Sequence, residues 1–198
     1  WAELSDKQKF VYDDEGYYPN KTLFLLTGAR LKYLLLILNS KVIAWYFDQI
    51  STTSGMGTTI WSKYKVELLP IPLIEDSFLI QKFEILADYM IYLYDTTKPP
   101  VNQFANNSNI APIYEEVVNM MVYELYFERH MKHEEIDVLQ FVNEEYFKPL
   151  KKDDLADAET IGKAYKWLQE QNNPIRNRII LSNIRSQDII RRINSTTH

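Results

Sequence analysis

Between Ser51 and Lys65 the chain reads STTSGMGTTIWSKYK. Its first nine residues hold two Gly and six hydroxyl side chains, and Trp61, Lys63 and Lys65 follow. Hydroxyls and glycine amides can donate to phosphate oxygens and to base edges. Lysines supply countercharge, and an indole can pack on a sugar or a base. From Gln49 to Val66 there is no acidic residue, although the chain as a whole carries a net charge of -5. The stretch therefore suits an anionic or polar partner. The same residues would also serve as an ordinary solvated connection, and composition alone leaves both readings open.

Other clusters have plainer explanations. Tyr17-Tyr18, with Asn20 and Lys21, could stack on bases, and cross-strand aromatic packing in a hairpin is the simpler reading. His130 and His133, beside Glu134, could share a metal. A solvated helix end, where cations suit the macrodipole, accounts for them better. Asp13-Asp14-Glu15 before Gly16 reads as a turn, and Glu134-Glu135-Asp137 and Asp153-Asp154 as solvated faces. Arg176, Arg178, Arg185, Arg191 and Arg192 could meet phosphates, but pairing with the acidic segment before them is preferred.

Composition narrows the classes. The 198 residues are 46% hydrophobic, enough for a substantial core, with 14 Tyr, 9 Phe and no Cys. Disulfides, thiol nucleophiles and Cys-ligated zinc are thereby excluded. A cysteine-free chain fits the cytoplasm. The N-terminal WAELSDKQKF is not a signal peptide, and without an initiator Met it reads as part of something longer. Residues 1–74 carry 8 Lys+Arg against 7 Asp+Glu, and residues 75–198 carry 14 against 20. An anion-binding surface is thus expected in the first third. No phosphate loop, nuclease spacing or nucleophile elbow occurs, so no catalytic centre is expected in this stretch.

The elements that would position the site follow from periodicity. Lys9–Tyr12 and Thr22–Thr27 read as short strands, and one helix is expected from about Arg30 to Gln49. Ser51–Thr59 should be a loop and Ile60–Leu69 a strand stopped by Pro70 and Pro72. Helices are expected over about 77–94, from Pro112 to His130, and over about 156–171, with short helical pieces between Ile136 and Phe147. Ile175–Ile193 resists assignment to helix or strands. The fold class is α+β: a small mixed β-sheet with a long packed helix, then a mainly helical C-terminal module. The boundary falls between residues 1–75 and 76–198, with a polar linker at about 95–110.

One block resembles a known family. LLLILNSKVIAWYF (residues 34–47), then the Gly/Thr/Ser loop, Trp61, Lys63 and Pro70-Ile71-Pro72, resembles the C-terminal target-recognition region of TaqI-type adenine-specific DNA methyltransferases, and more closely that of type IIG restriction-modification enzymes. KFVYDDEGYYPNKTLFLLTG resembles the strands leading into the helix, and Val117–Phe127 the helix after the specificity domain. Ile60 stands where the family commonly carries a basic residue. The resemblance implies sequence-specific binding of double-stranded DNA in bacterial defence. Lys21, Lys63 and Lys65 would neutralise phosphates. Thr52, Thr53, Ser54, Thr58 and Thr59 would reach base edges, and Trp61 would pack beside them. It also implies an N-terminal methyltransferase domain of the same polypeptide, with a flipped-adenine pocket, S-adenosylmethionine and a fused nuclease. No cofactor and no metal is expected in this stretch. The rival expectation is a helical module that docks on the catalytic domain without touching DNA.

Overall fold

The computed structural model describes residues 1–51, 53–54 and 58–196. Helices dominate, and a three-stranded sheet in the order β1-β3-β2 is formed by β1 (Leu4–Ser5), β2 (Thr53–Ser54) and β3 (Thr58–Ile60). Leu4 pairs with Ile60, Ser5 with Thr59, and Thr53 with Thr59. Both pairings are antiparallel, so the sheet is not the mixed one expected.

The expected long helix is two helices, α1 (Leu31–Leu38) and α2 (Lys41–Ile50), broken at Asn39-Ser40. Ser40 adopts an extended backbone, and its Oγ accepts from the Ile43 amide, capping α2. The hydrophobic stripe runs on through the break and hides it from periodicity. Lys9–Tyr12 and Thr22–Thr27 do not form strands; an isolated Ala2–Leu23 bridge is the pairing found there. Phe10 bonds instead to the side-chain amide of Asn39, which accepts from its N–H at 3.0 Å and donates to its carbonyl at 2.9 Å. Ile60–Leu69 is a strand only at its first residue. Lys63–Val66 (α3) is a single helical turn, because the Ser62 carbonyl accepts from both Lys65 and Val66.

The second half is close to expectation. α4 (Ser77–Tyr94) is capped by Asp76, whose carboxylate accepts from Phe78 and Leu79. α5 (Asn107–His133) begins five residues before Pro112, which lies inside it. Residues 134–153 form turns rather than the short helical pieces expected between Ile136 and Phe147. α6 (Asp154–Leu168), capped by Asp153, and α7 (Pro174–Arg185), capped by Asn173, follow. Proline at the first position of α7 loses no helical bond. A π-helical turn (Gln187–Arg191) and α8 (Arg192–Thr196) end the described chain.

One hydrophobic cluster runs from Tyr33 through Phe83, Tyr114 and Phe147 to Ile193, joining residues from both expected segments. α1 and α4 are also tied by Lys32 to Asp88 at 2.6 Å. The 95–106 connection is held by Asn107, whose side chain bonds the Val101 amide and the Pro99 carbonyl. α6 crosses this connection at Gly162, where an added Cβ would lie 2.5 Å from the Val101 carbonyl oxygen. The turns at 134–153 hang on Glu124 of α5, buried and accepting from the Val138 and Leu139 amides at 2.6 and 2.8 Å.

Burial pushes the Glu124 carboxyl above its ordinary value of 4.5, and the two amide bonds only partly offset this. The folded protein then binds a proton the unfolded chain has released, so this group's stabilising effect is full below pH 4.5 and declines as pH rises through its folded pKa. Glu124→Gln should remove that dependence. Urea denaturation across pH 4–8 is expected to show wild type losing stability relative to the variant as pH rises.

A candidate nucleic-acid interface

The N-terminal residues lie between two segments. On one side Ala2 bridges Leu23, the Glu3 amide donates to the Thr22 carbonyl, and the Phe24 amide donates to Trp1. On the other side β1 pairs with β3, and the Trp61 amide donates to the Glu3 carbonyl at 2.7 Å. The spatial order is therefore 22–24, 1–5, 58–61, 53–54. In this register Lys21, Ser5, Thr58, Thr59 and Ser54 fall at one end of the ribbon. The other end carries Trp1, Phe24 and Trp61.

That second end is an aromatic core. Trp61 stacks on Phe47 of α2 with ring centroids 3.7 Å apart and planes 6° from parallel. Phe10 meets Trp61 edge-on at 6.0 Å, and Trp1 packs on both Phe10 and Phe24. The Trp1 indole N–H donates to the Trp61 carbonyl at 2.9 Å. Beneath the ribbon the Asn39-Ser40-Lys41 break acts as a clamp. Asn39 holds Phe10, Gln8 donates to the carbonyls of Asn39 and Ser40, and the Lys41 amide donates to Asn119 of α5 at 2.8 Å. The proline exit is fixed likewise: Tyr126 donates to the Pro70 carbonyl and Tyr33 to that of Pro72. Burial pushes the Tyr33 phenol up to about 12, so both stay protonated donors at neutral pH.

The residues expected to meet DNA separate into two groups. Lys21 is exposed, and Thr58 and Thr59 are half-buried on β3. Lys63 is exposed on α3 and lies 3.7 Å from Glu67, a surface pair worth well under ~1 kcal/mol. Thr53 and Ser54 lie on β2, while Thr52, Gly55 and Gly57 fall outside the described residues. Trp61 and Lys65 belong elsewhere. Trp61 is 3% exposed and is part of the core rather than a surface for sugar or base. Lys65 is 7% exposed, with its ammonium 6.0 Å from the Tyr64 ring centre, because the helical turn at 63–66 rotates it inward. Its neighbour Tyr64 is exposed.

Other expected clusters sort clearly. Asp13 accepts from the amides of Glu15, Gly16 and Tyr17, and Gly16 sits at φ 81°, so this is a turn. Tyr17 and Tyr18 are exposed and do not make the expected cross-strand packing. His130 bonds the Ser186 hydroxyl and His133 the Glu134 carboxylate, and no metal-holding group of three occurs among the described residues. Arg185 pairs with Glu135 at 3.1 Å, and Arg178 lies over the Phe141 ring at 4.3 Å. No helix among the described residues is long and apolar enough to cross a membrane. Asn39 and Asn119 were not singled out from sequence as side-chain anchors; an Asn-Ser pair interrupting an apolar helix was the available signal.

The ribbon end is polar, rests on an aromatic core and carries the exposed Lys21 at its margin. Residues 1–71 match the model of the TaqI-like C-terminal specificity domain, a match that points to a DNA sequence-specificity role for this segment in a restriction-modification protein. No curated protein and no solved structure matches the chain.

Trp61→Ala is expected to cost about 3–5 kcal/mol of stability, whereas Trp61→Phe should fold and bind as wild type does. Thermal melting with DNA titration of each variant checks both. Asn39→Ala should cost about 1–2 kcal/mol, from loss of its two bonds to Phe10. Amide exchange should quicken at residues 8–12 and leave α4 and α5 unchanged.

Proposed function

We propose that residues 1–75 read the target sequence of an adenine-specific DNA methyltransferase in a type IIG restriction-modification protein. Residues 76–198 are the helical module on which that reader is mounted. The observation that supports this best is the position of the hydroxyl residues: Thr58 and Thr59 stand on a β-hairpin inside the stretch that matches the specificity domain. A two-stranded ribbon fits the major groove, which is about 12 Å wide.

Lys21 and Lys63 hold phosphates at the margins and set the register. Thr52, Thr53, Ser54, Thr58 and Thr59 supply donors and acceptors for base edges. Trp61 and Lys65 act from beneath, fixing the hairpin base. The chemistry belongs to a methyltransferase domain of the same polypeptide, fused to a nuclease and working in the cytoplasm. S-adenosylmethionine would bind there, and no residue of this chain is assigned to it.

Selection from a random duplex pool, followed by sequencing, tests the reading. A single enriched motif is expected. Lys21→Ala and Lys63→Ala should weaken all sequences alike, each lowering the salt slope by about 0.9. Thr59→Val should relax the motif at one position while leaving the slope unchanged. Retention of duplex without any enriched motif would contradict target recognition.

A further inference from the structure

Residues 174–198 contain five Arg and one acidic residue, Asp188, whereas residues 75–173 contain 9 Lys+Arg and 19 Asp+Glu. This basic segment is not remote from the ribbon. α8 packs on α2, the helix that leads directly into the β2–β3 hairpin. The Tyr123 hydroxyl of α5 fixes α8 by donating to Asn194 at 2.8 Å, and Asn194 donates in turn to Asn183 of α7.

α7 buries Ile175 and Ser182; apart from Arg185, which pairs with Glu135, it exposes Arg176, Asn177, Ile180, Asn183 and Ile184. At 100° per residue these five occupy a continuous arc of about 120°. The arc is free of acid and carries two amides, a guanidinium and two β-branched methyl faces; Ile180 is 55% and Ile184 63% exposed. Amides bond adenine edges, aliphatic carbons meet thymine methyls, and arginine meets phosphate or guanine. An α-helix with its side chains is about 10–12 Å across, which suits a groove about 12 Å wide. Ser186 ends α7, Asn194 of α8 returns to Asn183, and the exposed Arg191 lies at the same end of the helix, its amide donating to the Ser186 carbonyl at 3.0 Å.

We propose that the exposed face of α7 is a second duplex-DNA-contacting surface. Arg176 and Arg191 hold phosphates at its two ends, and Asn177, Ile180 and Ile184 face a groove flanking the one the hairpin reads. This rests on the reading of residues 1–75 as a DNA reader. It gives the C-terminal helices a direct part in binding, which their acidic surroundings conceal in the net charge.

The test is equilibrium binding of the random duplex pool across a salt series, comparing wild type, Arg176→Ala/Arg191→Ala, Ile180→Ala/Ile184→Ala and Lys63→Ala. All substituted positions are exposed, and equal melting temperatures establish intact folds. The arginine double variant is expected to bind roughly tenfold more weakly, with a salt slope lower by about 1.8. The isoleucine double variant should keep the slope and change the selected motif. If both double variants match wild type while Lys63→Ala weakens binding, the α7 surface is not a DNA contact and the hairpin reading stands. Absence of duplex binding by wild type at low salt would overturn both.

Discussion

The parallel stack of Phe47 on Trp61, 3.7 Å between ring centres, joins the helical core to the β-ribbon. Phe47 comes from α2, and Trp61 immediately follows β3, so the contact ties the end of β3 to the helix that precedes β2. Buried aromatic pairs of this kind contribute about 0.5–1.5 kcal/mol beyond the area they hide. Its larger effect is geometric. The Trp61 amide donates to the Glu3 carbonyl and its carbonyl accepts from the Trp1 indole N–H, so the same residue that anchors the hairpin fixes β1 beside it. A hairpin proposed to present hydroxyls to base edges needs such a mount, since misplacement by about 1 Å forfeits directional hydrogen bonds.

Rigidity below permits polarity above. Phe47, Trp61, Val66 and Leu69 are buried in the common core, while Lys21 and Lys63 are exposed and Thr58 and Thr59 half-buried. Those positions stand apart from the acid-rich 75–173 stretch, whose 19 Asp and Glu would repel phosphate. Where arginine meets that stretch, at Glu135, the charge is spent internally. A net charge of -5 averages together segments of different local charge, near balance over residues 1–74 and acidic over 75–173.

The sequence disclosed elements better than it disclosed side-chain roles. α4 and α6 were legible because their apolar spacing is uninterrupted and their Asp caps are local. The Asn39-Ser40 break was not, since the stripe from Leu34 to Phe47 continues through it and the decisive partners, Phe10 and Asn119, are distant in sequence. The strands expected at 9–12 and 22–27 failed for a related reason: a side-chain amide satisfies Phe10 where a neighbouring strand was anticipated. At the candidate site the residue types were readable and their exposure was not. Trp61 and Lys65 look like ligand-facing groups in the linear pattern, yet a single helical turn after Ser62 directs Lys65 inward, and the stack on Phe47 takes Trp61. The match over residues 1–71 agrees with the block that carried the resemblance, much of which is scaffold rather than contact surface.

The central claim is that the free end of the ribbon, and not the acidic helical surface, meets DNA. Amide hydrogen exchange with and without duplex tests it most directly, because it reports contact residue by residue. Slowed exchange is predicted at residues 3–6, 20–23 and 51–64, with α4 and the 134–153 turns unaffected. Protection confined to α4, α6 or those turns, with the hairpin exchanging as fast as in the free protein, would contradict the account.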